Sequence, residues 1–162
     1  MGEWSDPLTG LDSAPYFREH VQDLLARRAE TFQPFLYGVS RIKGFEEMVE
    51  ESSTSFGDAL LVSAAHAAQL IVRGGDRVGR LGRDHFGFAL LAAHQSEASA
   101  CEARLRTALT NLEYASQKVE LLFAFLWIAD SRRKLAEIEY EIDLALALDG
   151  SNIEQNLPSE YF

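Results

Sequence analysis

Apolar residues along this chain alternate between helical and extended spacing. Phe17, Val21, Leu24 and Leu25 recur three and four positions apart, which predicts a helix from Ala14 to about Glu30. Pro34 breaks that pattern, and Phe35 to Val39 reads as a strand. A short helix is expected around Gly44 to Glu51, then a polar turn at 52–55. Asp58 to Val72 is rich in Ala and Leu at helical spacing, and Gly74-Gly75 stops it. Arg77 to Leu81 and Phe86 to Ala92 are strand-like runs joined by Gly82-Arg83-Asp84-His85, a hairpin pattern. Ser96 is placed to cap a helix running to about Leu112, with Leu105, Ala108 and Leu109 facing inward. Val119 to Ile128 is almost continuously apolar, which suits a central strand buried on both faces. A last helix, Leu135 to Leu148, ends at Gly150, and the tail 151–162 carries no clear period. This order predicts one α+β domain over residues 1–150, a mixed sheet covered by helices.

A chain of 162 residues, 47% hydrophobic and 25% charged, suits one such domain with a sizeable core. The longest strongly apolar run, Leu121 to Ala129, is far too short for a bilayer, and nothing resembles an export leader. The expectation is a cytoplasmic domain without membrane insertion. The lone cysteine, Cys101, excludes an internal disulfide and a cysteine-rich zinc site. His20, His66 and His94 are scattered, so neither a metal nor a cofactor is expected. A net charge of −10 argues against nucleic acid as a partner. That acidity is uneven. Between positions 73 and 83, Arg73, Arg77, Arg80 and Arg83 stand against one acid, Asp76, an island suited to a small anion.

Four motifs occur in order: Asp6-Pro7-Leu8-Thr9-Gly10-Leu11, Phe45, Gly57-Asp58, and Gly82-Arg83-Asp84-His85-Phe86. Together they resemble the GGDEF family, the diguanylate cyclases that make the bacterial second messenger cyclic di-GMP from two GTP. The resemblance covers Asp6 to about Gly150. It implies a ferredoxin-like, nucleotide-cyclase-like fold of about five strands surrounded by helices. It also implies two carboxylates at neighbouring strand ends, because the divalent cations that hold GTP phosphates need anionic oxygens. Arg41 stands at the first of these positions, and Lys43 at the second acidic place of the same motif. Asp84 keeps the other carboxylate, so a salt bridge to Arg41 is a simpler expectation than a metal site.

The remaining family positions point the same way. Gly82 is kept, but Arg83 replaces the second glycine, and His85 replaces the glutamate associated with activating the attacking hydroxyl. Glu46 stands where the family has a lysine near the phosphates. Val49 replaces a guanine-reading asparagine, while Asp58, the other guanine-reading position, remains. The resemblance therefore implies a degenerate, catalytically inactive member.

Arg73 and Asp76 match the family's Arg-x-x-Asp inhibitory site for its own product. An arginine fork can grip guanine O6 and N7 or a phosphate, and a carboxylate can accept from the guanine N1–H and amine. Arg80 is expected to add a phosphate contact, and Arg104 to be the secondary arginine from the next helix. The function so implied is a cyclic di-GMP receptor in signal transduction, relaying to an unidentified protein partner, with ligand-linked homodimerisation left open. The alternative is a ligand-independent protein-interaction module on the same scaffold. Arg-x-x-Asp is also what an ordinary helix end with surface charges looks like.

Overall fold

The first helix, α1 (Ala14–Leu25), begins where the Ser13 hydroxyl accepts the Tyr16 N–H at 3.4 Å, with Pro15 pre-set in the first turn. It ends short of Glu30. The apolar stripe stops at Leu25, and exposed Arg27, Arg28 and Glu30 have nothing to bury. The computed structural model describes residues 4–110, 112–114 and 117–148. After α1 come β1 (Phe35–Ile42), α2 (Phe45–Glu51), α3 (Thr54–Gln69), β2 (Arg77–Arg80) and β3 (His85–Leu91). Then follow α4 (Gln95–Thr110), β4 (Glu113–Tyr114), β5 (Gln117–Lys118), β6 (Leu121–Ile128) and α5 (Leu135–Ala147). The expected stop at Gly150 and the tail 151–162 lie outside the described residues.

The main sheet has the order β2-β3-β1-β6, and β4-β5 is a separate ribbon. Strand, helices, hairpin, helix, strand in that spatial order is the split βαβ arrangement of ferredoxin-like folds. The α+β layering is as expected, but every strand pair is antiparallel, not mixed. Nor is β6 central: it pairs with β1 alone and forms a sheet edge. Its apolar character comes from burial on both faces. Phe123 and Phe125 pack into the core under α2–α4, while Ala124 and Ile128 join the core under α1 and α5.

Two helix starts also differ from expectation. The Ser53 hydroxyl accepts the Phe56 N–H at 3.0 Å, so the polar stretch at 52–55 opens α3 instead of forming a turn. Helix α4 begins at Gln95, which puts Ser96 inside it, and the Glu97 carboxylate reaches back to the Ala93 N–H at 3.3 Å. Among the described residues no helix is long and apolar enough to cross a membrane.

Asp6 closes the entry loop. Its Oδ2 accepts from the Thr9 N–H at 2.9 Å and the Thr9 hydroxyl at 2.7 Å, while Gly10 turns the chain with φ at 76°. Burial alone would raise this carboxyl, but the Thr9 bonds and the Arg80 guanidinium outweigh it and hold the group below its ordinary 3.8. Asp6→Ala is expected to lower unfolding stability by about 2 kcal/mol at neutral pH, read by urea denaturation. Because the folded carboxyl titrates below 3.8, its contribution is complete above that value and fades as pH falls through the folded pKa. The gap between variant and parent should therefore narrow in acid; a gap independent of pH would contradict this account.

Candidate functional site

The loop joining β2 to β3 is held from within by Arg80. Its Nε donates to the Gly82 carbonyl at 3.2 Å, its Nη2 to the Arg83 carbonyl at 3.1 Å, and its Nη1 to Asp6 Oδ2 at 3.2 Å. This corrects one expectation. Arg80 sits four strand positions beyond Asp76, on the order of 13 Å along β2, and its donors are committed to the hairpin and the entry loop.

Beyond the hairpin, two family departures meet. Arg83 Nη1 donates to both oxygens of Glu46 at 2.8 and 3.0 Å and lies over the Phe45 ring at 5.5 Å. The pair is half exposed, so its net stabilisation is under about 1 kcal/mol. Its effect is to put side chains and a neutralised charge where the family resemblance implies open backbone and a cation. Val49 likewise fills the α2–α3 seam: a Cβ on Gly57 would lie 2.6 Å from Val49 Cγ2. Asp58 is exposed one residue further on.

The expected Arg41–Asp84 salt bridge does not form. Arg41 is directly opposite His85 in the β1–β3 register, and Asp84 Oδ1 lies 2.7 Å from His85 Nδ1 instead. A carboxylate that follows the chain into a hairpin turn meets its sequence neighbour before a residue across the sheet. Among the described residues Arg41 makes no ion pair, and no three His, Cys, Asp or Glu side chains gather closely enough to hold a metal ion.

The second cluster lies at the far end of the hairpin. Helix α3 ends with the Leu70 N–H on the His66 carbonyl at 3.2 Å, and the chain then turns through Arg73-Gly74-Gly75-Asp76. That turn is closed twice: the Asp76 N–H donates to the Arg73 carbonyl at 2.9 Å, and the Arg73 N–H donates to Asp76 Oδ2 at 2.9 Å. Gly75 has φ of 89°, and a Cβ there would lie 2.7 Å from Leu91 Cδ1, so glycine is needed on both counts. Asp76 Oδ1 accepts from the Leu91 N–H at 2.8 Å, which ties the turn to the end of β3.

The arginine at the head of the turn points elsewhere. Arg73 Nη2 lies 3.5 Å from the sulfur of buried Cys101, and Arg104 Nη2 lies 3.6 Å from the same sulfur. Two exposed arginines thus converge over one thiol, and among the described residues neither has a carboxylate partner. Of the residues expected to bind ligand, Arg73 and Arg104 come together, Asp76 is an anchor for the turn between them and the sheet, and Arg80 is remote. Cys101 was not expected at this site. Its position three residues before Arg104, one helical turn, was the available signal.

The family model described as diguanylate cyclase, GGDEF domain, matches residues 3–125. Diguanylate cyclase SiaD from Pseudomonas aeruginosa, solved in complex with its activator SiaC, is 21% identical with a TM-score of 0.81. The alignment covers 91% of this chain and 59% of the SiaD chain. A sensory box/GGDEF family protein from Caulobacter crescentus CB15 is 22% identical with a TM-score of 0.79, over 90% of this chain and 97% of that one. A microbial GGDEF domain, solved for its interaction with bis-(3′,5′)-cyclic di-GMP, is 18% identical with a TM-score of 0.76, over 91% and 92%. No curated protein matches the chain. At these identities the structural likeness establishes the fold.

Proposed function

Since this chain belongs to the diguanylate cyclase GGDEF domain family, we propose that it is a degenerate, catalytically inactive member that receives cyclic di-GMP at the turn after α3. The observation that carries this reading is the convergence of Arg73 and Arg104 on Cys101 without a neutralising carboxylate. Two like charges held together favour an anion between them, and arginine forks suit phosphate oxygens or the O6 and N7 edge of guanine. Asp76 bonds one backbone N–H per oxygen, and a carboxylate oxygen has room for a second donor such as a guanine N1–H. Gly74 leaves the approach open, since a Cβ there would meet nothing within 4 Å. The microbial GGDEF domain solved with cyclic di-GMP is a structural neighbour whose ligand carries the same chemistry.

Inactivity is proposed from the other cluster. Arg41 faces His85 across the strands, Asp84 is paired with that histidine, and Arg83 with Glu46 covers the hairpin. A cation at a required metal-ligand position repels the metal. Incubation with GTP and magnesium or manganese is expected to yield no cyclic di-GMP by chromatography. Turnover that disappears in Asp84→Ala would overturn this part.

The proposed domain is residues 1–150, acting in the cytoplasm and relaying ligand binding to a protein partner or to a second copy of the chain. SiaD, a structural neighbour, is solved with an activator protein, which favours surfaces of this fold as docking sites. Isothermal titration with cyclic di-GMP is the direct test. Heat and saturation are expected; a silent titration leaves the ligand-independent interaction module as the reading.

A further inference from the structure

Among the described residues, His20 Nε2 is shut off from solvent and has no hydrogen-bond partner. Buried polar side-chain atoms are ordinarily satisfied, so this one needs a cause. His20 lies on the flank of α1, one turn beyond Tyr16 and on the same side of the helix. The Arg77 guanidinium lies over the Tyr16 ring at 5.1 Å, and a Cβ on Gly79 would lie 2.6 Å from Phe17 Cβ. The His20 ring is thereby set into the seam where α1 meets β2.

Arg77 of β2, Asp12 of the entry loop, and Asp23 and Arg27 face this ring. The two carboxylates favour a positive ring but are poorly placed to answer it. Asp12 gives both oxygens to Arg77, accepting from Nε at 2.9 Å and Nη2 at 2.8 Å, and Asp23 is exposed. Burial and then the Arg77 charge prevail, and they hold the imidazole below its ordinary 6.5. The Asp12–Arg77 pair has a structural task of its own. The Asp12 N–H donates to the Val78 carbonyl at 3.1 Å, and its carbonyl accepts from the Arg80 N–H at 2.9 Å. The pair therefore clasps the entry loop along the outer edge of β2.

We propose that His20 is a proton-operated release for this clasp: a neutral ring lets α1 and the entry loop stay seated on β2, and a charged ring loosens both. A neutral imidazole can keep its one hydrogen on Nδ1 and bury only a lone pair at Nε2. An imidazolium carries N–H donors on both nitrogens, so protonation leaves a charged donor at Nε2 with no acceptor, which costs more than an unmet neutral atom. The same charge repels Arg77 and competes with it for Asp12. The device is separate from the turn that carries Arg73 and Arg104, and it stands whether or not cyclic di-GMP binds.

Above 6.5 the ring is neutral in the folded and unfolded chain alike, and its contribution to stability is complete. Below 6.5 the unfolded chain takes up the proton first, so stability is lost as pH falls to the folded value and then levels off. The test compares urea unfolding of the parent and of His20→Gln, which stays polar but does not titrate, between about pH 7.5 and about pH 5.5. The parent's unfolding constant should rise relative to the variant's by up to about tenfold per pH unit below 6.5. The His20 ring protons of the folded parent, followed by NMR, should titrate below 6.5. Exchange protection of the Asp12 and Arg80 amides should fall over the same range in the parent alone. A ring titrating at 6.5 or higher, a ratio of unfolding constants indifferent to pH, or the same loss of protection in His20→Gln would each overturn the proposal.

Discussion

Replacing Arg73 and Arg104 together with alanine should weaken cyclic di-GMP binding by about a thousandfold in isothermal titration. Each arginine offers charge-assisted hydrogen bonds, and losing one such contact costs about 2 kcal/mol, where 1.4 kcal/mol is tenfold. Each single variant should lose about thirtyfold, and Arg73→Lys about tenfold, because lysine keeps the charge but not the fork. Both side chains are exposed, and the hydrogen bond of each guanidinium goes to the Cys101 sulfur, a weak acceptor. Thermal stability should therefore stay within about 0.5 kcal/mol of the parent, as for other surface changes. Asp76→Ala should behave differently, losing stability as well as affinity, because it frees the N–H groups of Arg73 and Leu91. Native affinity in the double arginine variant would remove the basis for the receptor reading.

Gly79→Val should destabilise the domain by about 3 kcal/mol or more, seen as a lower urea midpoint and lost amide protection in α1. Gly79 and Gly87 are register partners on β2 and β3, and together they make a slot for Phe17. A Cβ at 79 would lie 2.6 Å from Phe17 Cβ, and one at 87 would lie 2.9 Å from Phe17 Cε2. The first clash is the harder one, because Phe17 Cβ is fixed to the helix backbone and no rotamer moves it. Relief requires α1 to lift from the sheet, exposing Phe17 and Val21, both fully buried in the parent. Phe17→Ala alone should cost about 3 kcal/mol through the cavity it leaves. An unchanged midpoint in Gly79→Val would show that α1 docks by other means.

Local chemistry made much of this legible in the chain. The stripe from Phe17 to Leu25, the turn at Gly74-Gly75 and the hairpin before Phe86 depend on residues a few positions apart and stand where periodicity and glycines put them, although α3 ends at Gln69, short of the expected Val72. Long-range pairing did not read the same way. The unbroken apolar run of β6 signals burial on both faces, but burial by α4 and α5 looks identical in sequence to burial between neighbouring strands. Arg80 has the right type and spacing for a ligand contact, yet it bonds Asp6, 74 positions away. Asp84 was expected to answer Arg41 across the sheet and instead answers His85 beside it. Residue type reports what a side chain can bond; only the fold decides which partner is nearer.

The Arg80 guanidinium grips the entry loop through Asp6 and the hairpin tip through the Gly82 and Arg83 carbonyls. These bonds cross-link the entry loop to the loop that carries Asp84. Displacing the entry loop at Asp6 is therefore expected to disturb that tip, because one guanidinium serves both.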